Sequence, residues 1–275
     1  MSGFRKDGRI LPLWSATLRA AVLAVIVSPL LLLLIISILD VDHLLYAGGV
    51  RWTGSNYLDL LHDGAFWRAL WSSVVISTLS ASLAAISGAA FVLLSLRGRF
   101  GSDLATLMLT ARLLPASVIA PSAAYVLSNA GLLDTHIGAA FIIFTGLIVV
   151  FVISVIAPVR SISRASVHEL RLLGAGNLDL ARVLILPVAG SAAMAGVLIC
   201  WGLAFQEYYL SNFLISSPDR QTFAVLIARG MTQHQIGYGR FAAAAYVTIV
   251  ITLAITMIAV RLLQPELSGP RSEAR

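Results

Sequence analysis

The sequence predicts an all-α integral membrane protein of six transmembrane helices, and three observations carry that reading. Of its 275 residues, 59% are hydrophobic and only 12% are charged, against the roughly 45–50% and ~25% of soluble domains. The apolar residues gather in stretches at approximately 18–39, 69–95, 104–127, 136–158, 188–214 and 241–264. Each is long enough to cross a hydrocarbon core of about 30 Å. The cationic residues divide unevenly between the connecting segments, as they do in a membrane protein with a fixed orientation.

The first stretch is a span rather than a cleaved signal: its apolar run exceeds the ~7–15 residues of a signal core, and no small-x-small cleavage site follows. An even number of spans puts both termini on one side. One set of segments carries Arg5, Lys6, Arg9, Arg19, Arg97, Arg99, Arg160, Arg164, Arg171, Arg182, Arg261, Arg271 and Arg275. The other carries Arg51, Arg68, Arg220, Arg229 and Arg240, set against six acidic residues. A bias of 13 to 5 places the termini, and the segment 160–187, on the cytoplasmic side of the membrane. The net charge of +6 is scattered rather than gathered in a stripe, so orientation explains it and a nucleic-acid partner does not. Residues 15–264 read as one membrane domain, since no Pro- or Ser-rich linker divides them. The polar tails 1–14 and 265–275 are expected to fray.

Within the third stretch, Arg112 is followed by Pro115 and Pro121. A central arginine costs roughly 2.5–3.5 kcal/mol on insertion scales, so it faces protein or a water-filled path, with the prolines loosening the helix beside it. The other reading is that Arg112 snorkels to the cytoplasmic surface. Cys200 is the lone cysteine; it allows no intrachain disulfide and reads as a small packing residue.

The segment Arg160–Pro187 interrupts the apolar pattern with a helix, a small-residue turn and a second helix. Ser166-Val167-His168-Glu169 has capping-box spacing. Val167, Leu170 and Gly174 fall on one face. Gly174-Ala175-Gly176 ends the first helix, and Asn177 is placed to cap the second, which ends at Leu186-Pro187. Such a device suits docking.

Several chemistries are missing from the sequence. Lys6 is the single lysine, and no Gly-Lys-Ser/Thr ending exists, so the chain is not itself a P-loop ATPase. His168-Glu169 opens like a zinc-protease helix, but the second histidine position is Leu172. His43, His62, His136 and His234 lie in separate segments without ligand spacing, so no metal is expected. A secondary carrier would show more buried carboxylates and two related halves. A membrane enzyme or assembly factor would need a convergent reactive set. Both remain as rival readings.

A docking device without its own energy source suggests a subunit of a pump powered from outside, and here the motifs reach a known pattern. Asn56-Tyr57, Phe66-Trp67-Arg68-Ala69-Leu70, Arg99-Phe100-Gly101, Gly131-Leu132-Leu133-Asp134-Thr135-His136, Thr222-Phe223-Ala224-Val225 and Phe241-Ala242-Ala243-Ala244-Ala245 stand in order. From about Asn56 to Leu263 the chain resembles permease subunits of bacterial ABC importers of the carbohydrate-uptake class, related to the smaller maltose permease. The segment 160–187 then takes the place of the family's EAA loop, Glu-Ala-Ala-x-x-Asp-Gly-Ala followed by Leu-Pro. Gly174-Ala175 and Leu186-Pro187 fit that pattern. His168 stands at the Glu position, Glu169 and Leu170 at the two Ala positions, and Leu173 at the Asp position.

The resemblance implies an ATPase-coupling helix carried by His168, Glu169, Arg171, Gly174 and Ala175. Glu169 alone has a second reading as a helix cap. Phe205-Gln206-Glu207-Tyr208, eighteen residues beyond Pro187, falls where the family has Trp-Asn-Glu-Phe/Tyr. An aromatic ring beside an amide and a carboxylate suits a polyhydroxylated ligand. Phe205 and Tyr208 read alternatively as interfacial belt residues, and Trp201 as packing or lining. The implied partners are a second permease chain, two ATPase subunits holding ATP and Mg, and an extracytoplasmic substrate-binding protein. No cofactor is implied on this chain.

Overall fold

The computed structural model describes residues 10–95, 115–232 and 237–267. Arg112, the Arg99-Phe100-Gly101 turn, His234 and most of both tails lie outside the described residues. Among the described residues the regular elements are helices, joined by turns and loops, with one isolated antiparallel bridge, Leu39 to Trp52. In order come α1 (Ile10–Ser37), α2 (Val41–Tyr46), α3 (Ser55–His62), α4 (Gly64–Ser95), α5 (Ala116–Asn129) and α6 (His136–Ser161). They are followed by α7 (Arg164–Leu172), α8 (Asn177–Leu180), a π-wound segment (Ala181–Ile185) and α9 (Leu186–Phe205). α10 (Tyr209–Leu214), α11 (Phe223–Thr232) and α12 (Tyr238–Leu267) complete the chain.

Five of the helical stretches are long and apolar enough to cross a membrane: Thr17–Ser37, Gly64–Leu94, His136–Ser161, Leu178–Phe205 and Tyr238–Leu262. They match five of the six expected spans. Of the third expected span, residues 104–114 are outside the described residues and the remainder is α5. The fifth ends early: the sequence predicts helix to 214, but α9 stops at Phe205. The Gln206 amide donates to the Gly202 carbonyl at 3.3 Å, and the Glu207 carboxylate accepts the Leu210 N–H at 3.0 Å. Local side-chain bonds to backbone thus replace continuation of the helix and start α10.

The chain divides into two units, residues 1–63 with 230–249 and residues 64–229 with 250–275. In the first, α1 is apolar on all sides, with Leu18, Val22, Leu23, Val25 and Ile26 exposed, as befits a helix surrounded by hydrocarbon. Its end is anchored by Asn56, whose amide donates to the Ser37 and Leu39 carbonyls at 2.9 and 3.1 Å. Ser37 is buried and bonds the Tyr57 hydroxyl at 2.8 Å. Asp40 caps α2 by accepting the His43 N–H at 3.0 Å, satisfying one orphan donor of that short helix.

The core of the second unit is α4, α6 and α9, which pack on one another through small residues. Ala84, Ala140, Ala192 and Ala195 are almost wholly buried, and Phe151 of α6 fills the space between two glycines. A Cβ on Gly88 would lie 2.5 Å from Phe151 Cδ1, and one on Gly196 would lie 3.3 Å from Phe151 Cδ2. Small residues let helices approach closely where no hydrophobic effect drives them together. Cross-links add to the packing: Ser80 Oγ donates to the Ala140 carbonyl at 3.2 Å, and Cys200 Sγ contacts the Leu147 carbonyl at 3.5 Å. Cys200 is fully buried, a packing residue as its sequence position suggests.

Candidate functional site

The second unit holds the described sequence-predicted residues, the hairpin group beyond the C-terminus of α6 and the others at the start of α5, on α9 and in the turn before α10. At the α6 C-terminus, Ile162 and Ser163 are extended, and Ser163 caps α7 by accepting the Ser166 N–H at 3.0 Å. The expected capping box at Ser166 and Glu169 is therefore not formed. The helix starts three residues earlier, because the extended backbone presents Ser163 first, and Ser166 becomes an inner partner whose hydroxyl meets Ser163 Oγ at 2.8 Å. Glu169 is exposed, and its carboxylate makes no hydrogen bond or ion pair among the described residues. Its capping role is gone.

Leu173 ends α7, and Gly174 turns the chain with φ +85°. The Ala175 N–H reaches the Leu170 carbonyl and the Gly174 N–H the Arg171 carbonyl, both at 3.0 Å. This is a Schellman closure, and it requires the left-handed backbone that glycine adopts without strain. Asn177 is the first residue of α8 rather than its cap. Gly176 holds that position, and its N–H donates to Asp179 Oδ2 at 2.9 Å, because an acid three residues into a helix reaches the orphan donor behind it. The second helix does not stop at Leu186-Pro187 but winds on into α9. Pro187 stands inside this continuous winding, two residues beyond the π-wound segment.

The hairpin is tightly closed and presents an uncommon face. Leu172 and Leu173 are 75% and 83% exposed, at the outermost point of the turn. His168, Arg171 and Gly174 are exposed around them, and Ala175 is half-buried. Leu180, 2% exposed, anchors the far side. What the arrangement offers is a preformed apolar and basic protrusion.

The path candidates separate into two groups. Trp201 and Phe205 stack at 5.1 Å with 14° between their planes, and Trp201 Nε1 donates to Thr78 Oγ1 at 3.1 Å. Phe205 is 1% exposed and also meets Phe223, which packs edge-on against Phe66. Its ring faces are therefore occupied by the chain itself. Gln206 and Tyr208 are exposed, whereas the Glu207 carboxylate is engaged with the Leu210 N–H. Pro115 is the exposed residue that opens α5. Replacing Glu207 with alanine is expected to fray α10 and cost about 1 kcal/mol, the usual size of a lost cap. Glutamine at the same position, which keeps an acceptor oxygen, should lose less; equal losses in thermal unfolding would show that the cap contributes nothing.

Sequence reasoning missed a clasp before the N-terminus of α6. Asp134 sits at φ +59° in the turn after α5 and accepts the Ser216 and Ser217 N–H groups, both at 2.9 Å. It also accepts the Ser217 hydroxyl, and Arg220 Nη1 donates to its backbone carbonyl at 2.7 Å while lying 3.8 Å from its carboxylate. Arg68 and Asp219 pair alongside at 3.2 Å. His136 Nε2 meets Ser72 Oγ at 3.1 Å. The only sequence signals were two polar turns, Gly131–Thr135 and Ser216–Arg220, and nothing in their spacing pairs them.

Burial pushes the Asp134 carboxyl up, but the Ser217 hydroxyl, the Ser217 and Ser216 N–H groups and the Arg220 charge together outweigh it and hold the group below its ordinary 3.8. A depressed folded value means the clasp stabilises fully above about 3.8 and weakens as pH falls through the lower folded value. Asparagine tolerates positive φ, so Asp134→Asn tests the charge with little backbone strain. It should cost on the order of 2 kcal/mol at pH 7, the range for hydrogen bonds to charged groups, and remove part of the acid-side loss. Unfolding curves at pH 7 and pH 3 that shift in parallel for both proteins would count against this account.

Among the described residues no three His, Cys, Asp or Glu side chains gather as metal ligands. The fold itself is that of an ABC importer permease, all-α and membrane-spanning. The crystal structure of a bacterial ABC transporter involved in the import of the acidic polysaccharide alginate superposes with TM-score 0.65 at 16% identity, over 99% of this chain and 100% of that one. A bacterial alginate ABC transporter in complex with alginate pentasaccharide-bound periplasmic protein gives TM-score 0.67 at 15% identity, over 94% and 95%. No protein-family model matches the sequence, and no curated protein does.

Proposed function

We propose that this chain is the permease subunit of an ATP-driven importer for a sugar or related polyol-type solute, set in a bacterial inner membrane with both termini in the cytoplasm. The observation that carries the reading is the conjunction of a chain-long importer-permease fold with a closed, exposed hairpin between two spans. In this reading the six spans pair with those of a second permease chain around a translocation path. Two ATPase subunits, which bind ATP and Mg, receive the hairpin through His168, Glu169, Arg171, Gly174 and Ala175. An extracytoplasmic binding protein delivers the solute.

ATP binding closes the ATPase pair and drags the hairpin, so that nucleotide biases two packed arrangements of the spans. Arg112, Pro115, Gln206, Glu207 and Tyr208 are the path candidates. Trp201 and Phe205 support the path from behind, because their stacked rings leave Phe205 no free face. A carbohydrate-class solute is supported by the alginate importers whose fold this chain shares and by the exposed aromatic and amide groups at 206–208.

The test is to purify the chain from its native membrane in mild detergent and identify its companions by mass spectrometry. A stoichiometric ATPase, a second six-span protein and a binding protein are expected. Recovery of the chain alone, under conditions that keep a control importer intact, would favour a carrier or a membrane enzyme.

A further inference from the structure

The helical path from α8 into α9 is not uniformly wound. Over Ala181–Ile185 it is π-helical, and the Leu186 N–H reaches back to the Ala181 carbonyl. A π turn holds more residues than an α turn, is rare, and occurs mostly as a single-turn bulge at functional positions. Pro187 supplies a local cause. It has no N–H to bond the Val183 carbonyl, and its ring collides with a carbonyl held four residues earlier in α geometry. The wider turn moves that carbonyl aside. Axial bonding is therefore weak at this point, and Arg182, Val183 and Leu186 are exposed, so packing does little to hold the winding in place. On either side the chain is anchored, by Leu180 at 2% exposure and Ala189 at 1%.

We propose that Ala181–Ile185 is a positioning joint between hairpin and span. Its π winding sets the direction in which Leu172 and Leu173 are presented, and a change of winding at Arg182-Val183 re-aims the hairpin about the α9 axis during the transport cycle. One residue of helix corresponds to about 100° of azimuth and ~1.5 Å of rise. A partial change of winding therefore re-aims the leucines without moving the span. The proposal rests on the importer reading above, because it assigns the hairpin an ATPase partner.

Two variants of the complex purified from native membranes test it. Deleting Val183 removes the residue that the wide turn takes up, so an α-wound junction holds the hairpin near its present azimuth; basal ATP hydrolysis and ATPase recovery should stay as in the wild type, while solute-stimulated hydrolysis falls about tenfold. Pro187→Ala keeps the chain length and restores an N–H, which favours α winding, and an α-wound junction of this length turns the hairpin by up to about 100°. At least tenfold less ATPase should then co-purify with Pro187→Ala. Amide hydrogen exchange at residues 184–186 should depend on nucleotide in the wild type and lose that dependence in the Val183 deletion. Wild-type stimulation together with wild-type exchange in the Val183 deletion overturns the joint while leaving the importer reading intact. Absence of any ATPase from the wild-type preparation overturns both.

Discussion

Gly138→Ala is expected to destabilise the second unit on the order of 3 kcal/mol, combining overpacking of roughly 1–3 kcal/mol with a lost cap of about 1 kcal/mol. An added Cβ would collide with the Leu132 carbonyl oxygen and lie 3.1 Å from Thr135 Oγ1. Neither neighbour can give way easily. Thr135 Oγ1 accepts the Gly138 N–H at 3.0 Å and donates to that same Leu132 carbonyl at 2.7 Å. The Leu132 N–H is held by the Leu127 carbonyl at 2.8 Å, through the turn that Gly131 makes at φ +67°. Asp134, two residues on, is fixed by the clasp. Thermal unfolding of the detergent-purified protein reads the effect, and Gly190→Ala is the comparison, since its new methyl would meet only Leu186 Cδ1 at 3.5 Å. Similar midpoints for the two variants would show that the turn yields where its bonds say it cannot.

Gly174→Trp is expected to abolish uptake while the protein still inserts and folds. Among the described residues, chain neighbours aside, nothing lies within 4 Å of a Cβ at this position, so the ring has open space to enter. The left-handed backbone adds strain of ~1–3 kcal/mol, local to the hairpin and distant from the packed α4–α6–α9 core. What the ring obstructs is the approach to Leu172 and Leu173, the most protruding apolar groups of the hairpin. Uptake in reconstituted vesicles and ATPase co-purification should be lost together. Normal uptake by stably inserted Gly174→Trp protein would remove the hairpin from the coupling route.

Five of the six expected spans were legible, because membrane insertion requires long apolar runs, and such runs survive any detail of packing. The hairpin was legible for a related reason: a Gly-Ala-Gly turn inside a polar interruption leaves few alternatives. The cap of its first helix was read one turn late, since Ser163 and Ser166 are equally good caps in sequence and only the extended backbone at 162–163 chooses between them. The end of the fifth span was missed because Tyr209, Leu210, Phe213 and Leu214 are apolar enough to continue it, and a single carboxylate-to-backbone bond at Glu207 decides otherwise. The path residues fared differently. Aromatic identity at 201 and 205 is visible in one dimension, but whether a ring faces solvent or another ring depends on Thr78 and Phe223, far away in sequence. The Asp134 clasp joins turns eighty-two residues apart, a pairing that no local pattern encodes.

The keying of Phe151 between Gly88 and Gly196 has a mechanical consequence. Helices in such close contact resist bending and sliding, so α6 responds to load as a lever rather than a spring. Its 26 residues make a rod about 39 Å long. A tilt of ~5° displaces one end of such a rod by roughly 3 Å relative to the other. The hairpin adjoins one end and the Asp134 clasp the other. A push at the first would have to pass Pro158, in the last turn of α6, before the keyed part of the helix could carry it toward the second.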